Sequence, residues 1–181
     1  VTGVQTCALP IWSRQRAKPG ANYFVVLADN SQGLSIKDRG ASRTRGEQLR
    51  GMVTGDQTAW QALLEENFQV RRYLFDTRLQ SSRDFAELRF DGRATALNTA
   101  LHTLRERYHG QPLAGILLLS DGNATDLPAG ALDATGLPPV YPIVLGTDDP
   151  VKDVAVAKFS ASQTAFEDAP VTIQADVTAA G

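Results

Sequence analysis

The chain is poor in the residue types that most often announce chemistry. Cys7 is the single cysteine among 181 residues, so no internal disulfide can form. There are two histidines, His102 and His109. Neither has a His, Cys or carboxylate partner at metal-ligand spacing, and both read as ordinary surface residues. Charge of one sign is lacking too. Eighteen basic side chains face 20 acidic ones, for a net charge of −2, and this gives no argument for nucleic acid or an anionic membrane as partner. No apolar run reaches the roughly 20 residues that span a bilayer. The stretch therefore reads as soluble, any membrane segment lying outside it. There is no G-x-S-x-G, no P-loop and no H-E-x-x-H, and no second Asp two residues after Asp29. What remains is 43% hydrophobic and 21% charged, the make-up of a globular protein with enough chain for a core.

Residues Val1 to Ile11 resemble the translation of a short-read sequencing adapter, joined in frame near Trp12. They are set aside for fold reasoning, and Cys7 then carries no message about redox compartment. The expectation is an internal fragment of a longer protein: an artefactual or disordered segment and connector over 1–20, an α/β domain over 21–147, and a linker with an incomplete β-sandwich over 148–181.

The apolar run Tyr23-Phe-Val-Val-Leu-Ala28 predicts a strand buried on both faces, and it ends in Asp29-Asn30-Ser31. Leu113 to Ser120 repeats the design and ends in Asp121. Thr44–Thr54 and Gln57–Asn67 read as helices with stripes Leu49, Met52, Val53 and Trp60, Leu63, Leu64. Gly55 is the expected C-cap between them and Asp56 the expected N-cap. Lys37, Arg39, Arg43 and Arg45 read as a solvated charged face. Phe68 to Asp76 alternates as a strand nearer the sheet edge, with Phe68, Val70 and Leu74 inward. Leu79 to Phe90 is polar and contains a short element at Phe85–Leu88. Thr95–Tyr108 is a helix with Leu97, Leu101, Leu104 and Tyr108 on one face. A loop over Asp121–Pro139, with a short helix near Ala129, leads to Val140–Leu145. That run reads as another buried strand, at a position where the missing N–H of Pro142 is not needed. Alternation of this kind implies a doubly wound, mostly parallel sheet with helices on both faces. Beyond Gly146 the period becomes two, in runs around Val154–Phe159 and Val171–Thr178 joined by a turn at Glu167–Pro170. These read as the first strands of a sandwich that needs ~100 residues.

Two buried strands each deliver an Asp to one sheet edge, where open α/β sheets bind ligands. Asp29, Ser31, Thr95 and Asp121 form an oxygen-only set with few carboxylates, suited to a hard divalent cation, Mg²⁺ above all. Taken singly, each has a plainer reading: an Asx turn at Asp29, a helix cap at Thr95, a turn at Asp121. Asn123-Ala-Thr125 matches a glycosylation sequon, a short pattern of little weight.

The segments Asp29-Asn-Ser31-Gln-Gly33, Gly92-Arg-Ala-Thr95-Ala-Leu97 and Leu119-Ser-Asp121-Gly122, in this order and spacing, resemble the three motif segments of the von Willebrand factor type A domain. The resemblance covers roughly Ala21 to Thr147. It implies a doubly wound (Rossmann-like) fold and a metal-ion-dependent adhesion site, with Asp29, Ser31, Thr95 and Asp121 as ligands of Mg²⁺ or Mn²⁺. Its partner would be a protein whose acidic side chain completes the coordination. Gly33 stands where the family pattern has its second Ser, which removes one hydroxyl; Ser35, two residues on, is not counted in its place. The layout is also similar to bacterial membrane-anchored proteins that set such a domain before an immunoglobulin-like module, some with a glutamine-amidotransferase-like domain further on. That implies a membrane-anchored or cell-envelope setting for the longer protein, with no membrane contact by this stretch. Three readings follow: an adhesion-type binding module that is not an enzyme, a degenerate scaffold without metal, and a Mg²⁺-dependent hydrolase. The last needs a nucleophile or water-activating base beside the metal, and no motif supplies one.

Overall fold

The structure is a computed structural model that describes residues 18–55, 58–127, 132, 134–147, 153–162 and 172–180. The adapter-like segment, the linking Asp56, the expected helix near Ala129 and the turn at Glu167–Pro170 lie outside these residues. The chain divides into two units, Val1–Gly146 and Thr147–Gly181.

The first unit is built on a five-stranded sheet of order β3-β2-β1-β4-β5. β1 (Tyr23–Asp29) is the central strand and pairs in parallel with β2 (Gln69–Phe75) and β4 (Leu113–Ser120). Val25 to Ala28 are fully buried, as expected for a central strand covered on both faces. Alternate side chains go to opposite sides. Val25 and Leu27 join Tyr73, Phe75 and Ile116 under α3 (Leu97–Arg107). Val26 and Ala28 join Leu74 and Leu119 against α1 (Arg45–Thr54) and the partly buried Trp60 and Leu64 of α2 (Ala59–Asn67). The doubly wound α/β fold expected from the sequence is the one observed.

Local chemistry sets the helix boundaries. α1 starts with a capping box, in which the Glu47 N–H donates to Thr44 Oγ1 and the Thr44 N–H donates to Glu47 Oε2. The N-cap of α2 is Thr58. Gly55 ends α1 in extended backbone rather than the left-handed turn of a glycine C-cap. α3 begins after Ala96, so Thr95 precedes the helix. Its Leu97, Leu101, Leu104 and Tyr108 are buried in one cluster, as the spacing predicts.

Four expectations need correction. Leu63 is exposed, and Gln61 is buried in its neighbourhood. The Gln61 carboxamide donates to the Val53 carbonyl and accepts from Arg72, so α2 is rotated to seat an amide that ties α1 to β2. β2 lies inside the sheet, because a short antiparallel strand, β3 (Leu79–Ser82), pairs along its outer side. Its buried residues are the consecutive Tyr73, Leu74 and Phe75, with Phe68 and Val70 only partly covered. β5 (Val140–Val144) is an edge strand and largely exposed, not buried. Among the described residues no helix follows it to cover its face.

The second unit contains an antiparallel pair, β6 (Asp153–Ser162) and β7 (Thr172–Ala180), with an irregularity between Val156 and Lys158.

Candidate metal centre

The connection from β1 runs through α1 and α2 to β2 on one side. The connection from β2 runs through α3 to β4 on the other side of β1. Winding therefore reverses between β1 and β4, and a crevice opens past their carboxyl ends. Asp29 is the last residue of β1, and Asp121 follows the last residue of β4. Both are buried, as are Ser31 and Thr95.

Asp29 is fully buried, and its two carboxylate oxygens have different partners. Oδ1 accepts from the Ser31 N–H at 2.8 Å, and Oδ2 accepts from the Ser120 hydroxyl at 2.8 Å. Burial pushes its carboxyl above the ordinary aspartate value. The polar groups of Ser31 and Ser120 pull it back, and the charge of Asp121 adds to the rise. The hydroxyl of Ser31 is buried and is the one such side-chain atom, among the described residues, without a hydrogen-bond partner. The same hydroxyl lies near Asp29 and favours its charged form. A buried hydroxyl left unbonded costs free energy, so this oxygen is available to an ion.

Gly33 lies beside the same oxygens. A methyl group added there would stand 3.1 Å from Asp121 Oδ2 and 3.7 Å from Ser31 Oγ. The missing side chain thus leaves open a space bounded by two of the expected ligands.

Asp121 is more fully engaged. Oδ1 accepts from the Asn123 N–H, and Oδ2 accepts from Asn123 Nδ2 at 3.0 Å and from Arg45 Nη1 at 3.3 Å. Arg45 also forks onto Asp38, with Nε 3.1 Å from both carboxylate oxygens and Nη2 2.6 Å from Oδ1. Arg45 therefore departs from the solvated face expected of it, because two carboxylates hold it. Lys37, Arg39 and Arg43 are exposed.

Thr95 is placed by its backbone. Its N–H donates to Thr125 Oγ1 at 3.1 Å, and its carbonyl accepts the Thr125 N–H at 2.9 Å. No hydrogen bond among the described residues joins it to Asp29, Ser31 or Asp121. The structure thus gathers Asp29, Ser31 and Asp121 around one crevice and anchors Thr95 to the loop beside it. Asp126, next in that loop, accepts from the N–H groups of Asn98 and Thr99 and the Thr99 hydroxyl, capping α3 from outside the helix.

Sequence reasoning passed over Asn30, Arg45, Ser120, Thr125 and Asp126. Asn30 stands between two expected ligands, and its Oδ1 accepts from the N–H groups of Arg89 and Phe90, both at 2.8 Å. Ser120, directly before Asp121 at a strand end, was the most visible of the five.

Among the described residues no three His, Cys, Asp or Glu side chains form a metal-binding group. The donor set here is two carboxylates with hydroxyls, which fits a hard cation better than zinc or copper. The unbonded Ser31 hydroxyl and the space beside Gly33 agree with that fit.

No protein-family description matches the chain, and no curated protein does. Solved structures do. An aerotolerance-related membrane protein from Bacteroides fragilis aligns with a TM-score of 0.50 at 15% identity, covering 85% of this chain and 81% of that one. The ArnB paralog VWA2 from Sulfolobus acidocaldarius aligns with a TM-score of 0.48 at 21% identity, over 72% of this chain and 36% of that one. The chain thus spans about a third of the Sulfolobus protein's length. At these identities the likeness concerns the fold. The Bacteroides structure shares the doubly wound α/β fold described above.

Proposed function

We propose that this chain is a protein-binding module rather than an enzyme, acting through a divalent cation at the carboxyl edge of its sheet. Asp29, Ser31, Thr95 and Asp121 would hold the ion, Mg²⁺ or Mn²⁺. The observation that carries the reading is the buried, unbonded hydroxyl of Ser31 beside two buried carboxylates at the reversal point of the sheet. When bound, the cation supplies an open coordination position for a carboxylate of an acidic protein ligand. The chain's own part is to keep that position dry and fixed. Ser120 and the Ser31 N–H orient Asp29, Asn123 orients Asp121, and Thr125 holds the backbone of Thr95. Among the described residues no His or Lys bonds to this cluster, which argues against a hydrolase because a water-activating base is wanting there. The Bacteroides structure is described as a membrane protein, and a cell-envelope setting for the longer protein belongs to the same proposal. No helix among the described residues is long and apolar enough to cross a membrane.

The test is a thermal melt of the whole chain with Mn²⁺. At ten times Kd, binding to the native state adds about 1.4 kcal/mol, or about 3–6 °C in a domain of this size. The rise should vanish in Ser31→Ala and Asp121→Ala. No rise at millimolar Mn²⁺ would leave the domain as a metal-free scaffold.

A further inference from the structure

The crevice already contains a cation of its own. Arg45 opens α1, yet its side chain is only 12% exposed. It reaches Asp121 Oδ2 at 3.3 Å while forking onto Asp38, whose side chain is 8% exposed. Three elements clamp it: the loop after the 3-10 turn Gln32–Ser35 supplies Asp38, the end of β4 supplies Asp121, and the chain just after β5 supplies Gly146. A methyl group at Gly146 would lie 3.1 Å from Nε and 3.2 Å from Cζ and Nη2 of Arg45. With φ at +133°, that position also calls for glycine. The backbone therefore passes flat against the guanidinium, an approach no other residue permits without displacement. Asp38 holds the Arg45 guanidinium above its already high ordinary pKa, with Asp121 adding to the effect, so the charge is permanent.

Asp121 Oδ2, one of the oxygens that would hold the ion in the proposed site, is thus already engaged by a tethered guanidinium. A divalent cation bound to that oxygen would face the guanidinium's positive charge a few ångströms away. At the effective dielectric of a partly buried site, repulsion at such a distance shifts binding by an order of magnitude or more. We propose that Arg45 is an internal counter-charge that neutralises the acidic edge in the metal-free protein, and that it competes with the divalent cation for Asp121. Loading the site exchanges the tethered cation for a free one, and the Arg45–Asp121 contact opens while the Arg45–Asp38 fork persists. This inference rests on the cation site proposed above and adds the residue that limits its affinity.

The experiment is a Mn²⁺ titration of the whole chain, with free Mn²⁺ followed by electron paramagnetic resonance. Three proteins are compared: the parent, Arg45→Gln, and the double variant Arg45→Gln/Asp38→Asn. The double variant removes both charges of the fork, so Asp38 is not left unpaired; circular dichroism verifies folding. Both variants should bind Mn²⁺ at least tenfold more tightly than the parent, and Ser31→Ala added to either should abolish the gain. If the parent binds Mn²⁺ and the variants bind it no more tightly, the competition is refuted and the cation site stands. A gain that survives Ser31→Ala arises elsewhere and also refutes it. If neither the parent nor any variant binds, the cation site and the competition fall together.

Discussion

Asn30→Ala is the substitution that most directly tests how this crevice is built. Asn30 is 6% exposed, and its Oδ1 is the acceptor for two consecutive backbone N–H groups, those of Arg89 and Phe90. Its backbone also joins neighbouring elements: the N–H donates to the Phe75 carbonyl and the carbonyl accepts from the Gly92 N–H. The loop it grips is unfavourable on its own, because Phe85 and Phe90 have φ of 63° and 57°. Left-handed backbone costs a side-chain-bearing residue roughly 1–2 kcal/mol. Alanine would leave the buried Phe90 N–H without an acceptor, at about 1–3 kcal/mol, and would move the Arg89 N–H to water at about 0.5–1.5 kcal/mol. The combined loss of about 2–4 kcal/mol corresponds to a fall of about 5–15 °C in Tm. Urea unfolding measures the first quantity and calorimetry the second. Amide exchange at Phe90 and Gly92 should quicken more than exchange in β1. The exposed Asn67, whose amide donates to the Leu63 carbonyl, is the control, and Asn67→Ala should cost less than about 0.5 kcal/mol. If Asn30→Ala costs no more than Asn67→Ala, the carboxamide is not what holds the loop.

Asp126→Ala should cost about 1 kcal/mol by removing the cap of α3, and the cost should depend on pH. Burial works against the charged Asp126, but the hydrogen bonds from Thr99 and Asn98 prevail and hold its carboxyl below the ordinary value. Its contribution is therefore complete above the unfolded aspartate value of about 3.9 and is lost as pH falls through the lower folded value. The parent and variant should converge in stability in strong acid, and a constant difference down to about pH 2 would contradict this. Leu104→Ala, at a fully buried position in the α3 stripe, should lose about 2–5 kcal/mol. Leu63→Gln, at an exposed one, should stay within about 0.5 kcal/mol of the parent. Gly46→Ala should lose about 1–3 kcal/mol by overpacking, since the added methyl would sit 2.7 Å from the Phe90 ring; an unchanged melting curve would mean that the ring is not packed there.

The parts of the fold legible in the sequence were those set by short-range pattern. β1 and β4 announce themselves as apolar runs, α3 by Leu97, Leu101 and Leu104 at helical spacing, and the positions of Asp29 and Asp121 at strand ends follow from where those runs stop. β3 was missed because four residues, Leu-Gln-Ser-Ser, carry too little alternation, and its pairing is paid for by the neighbouring strand. Leu63 and Gln61 exchanged roles because a buried amide bonded to Val53 and Arg72 outweighs the local stripe. β5 looked buried because Val140, Ile143 and Val144, with Leu145 just after, make an apolar run, and nothing in its own residues says that the sheet stops there. Arg45 and Asn30 were illegible for another reason. Asp121 lies 76 residues from Arg45 and Phe90 lies 60 residues from Asn30, and a basic residue in a basic loop looks the same whether it faces water or a carboxylate.

The end of the sheet has a consequence for the behaviour of this protein at high concentration. The Leu145 N–H donates to the Ser120 carbonyl, so by strand alternation the N–H groups of Ile143 and Tyr141 point toward β4 and positions 142 and 144 point away. The outward row of donors therefore falls where Pro142 has none to offer. An exposed edge carrying Tyr141, Ile143 and Val144 would otherwise invite strand-by-strand polymerisation. A proline whose missing N–H falls on the outward side of an edge strand is a placement that disfavours edge-to-edge pairing. Pro142→Val would restore the missing donor, and light scattering should then report concentration-dependent growth that the parent lacks.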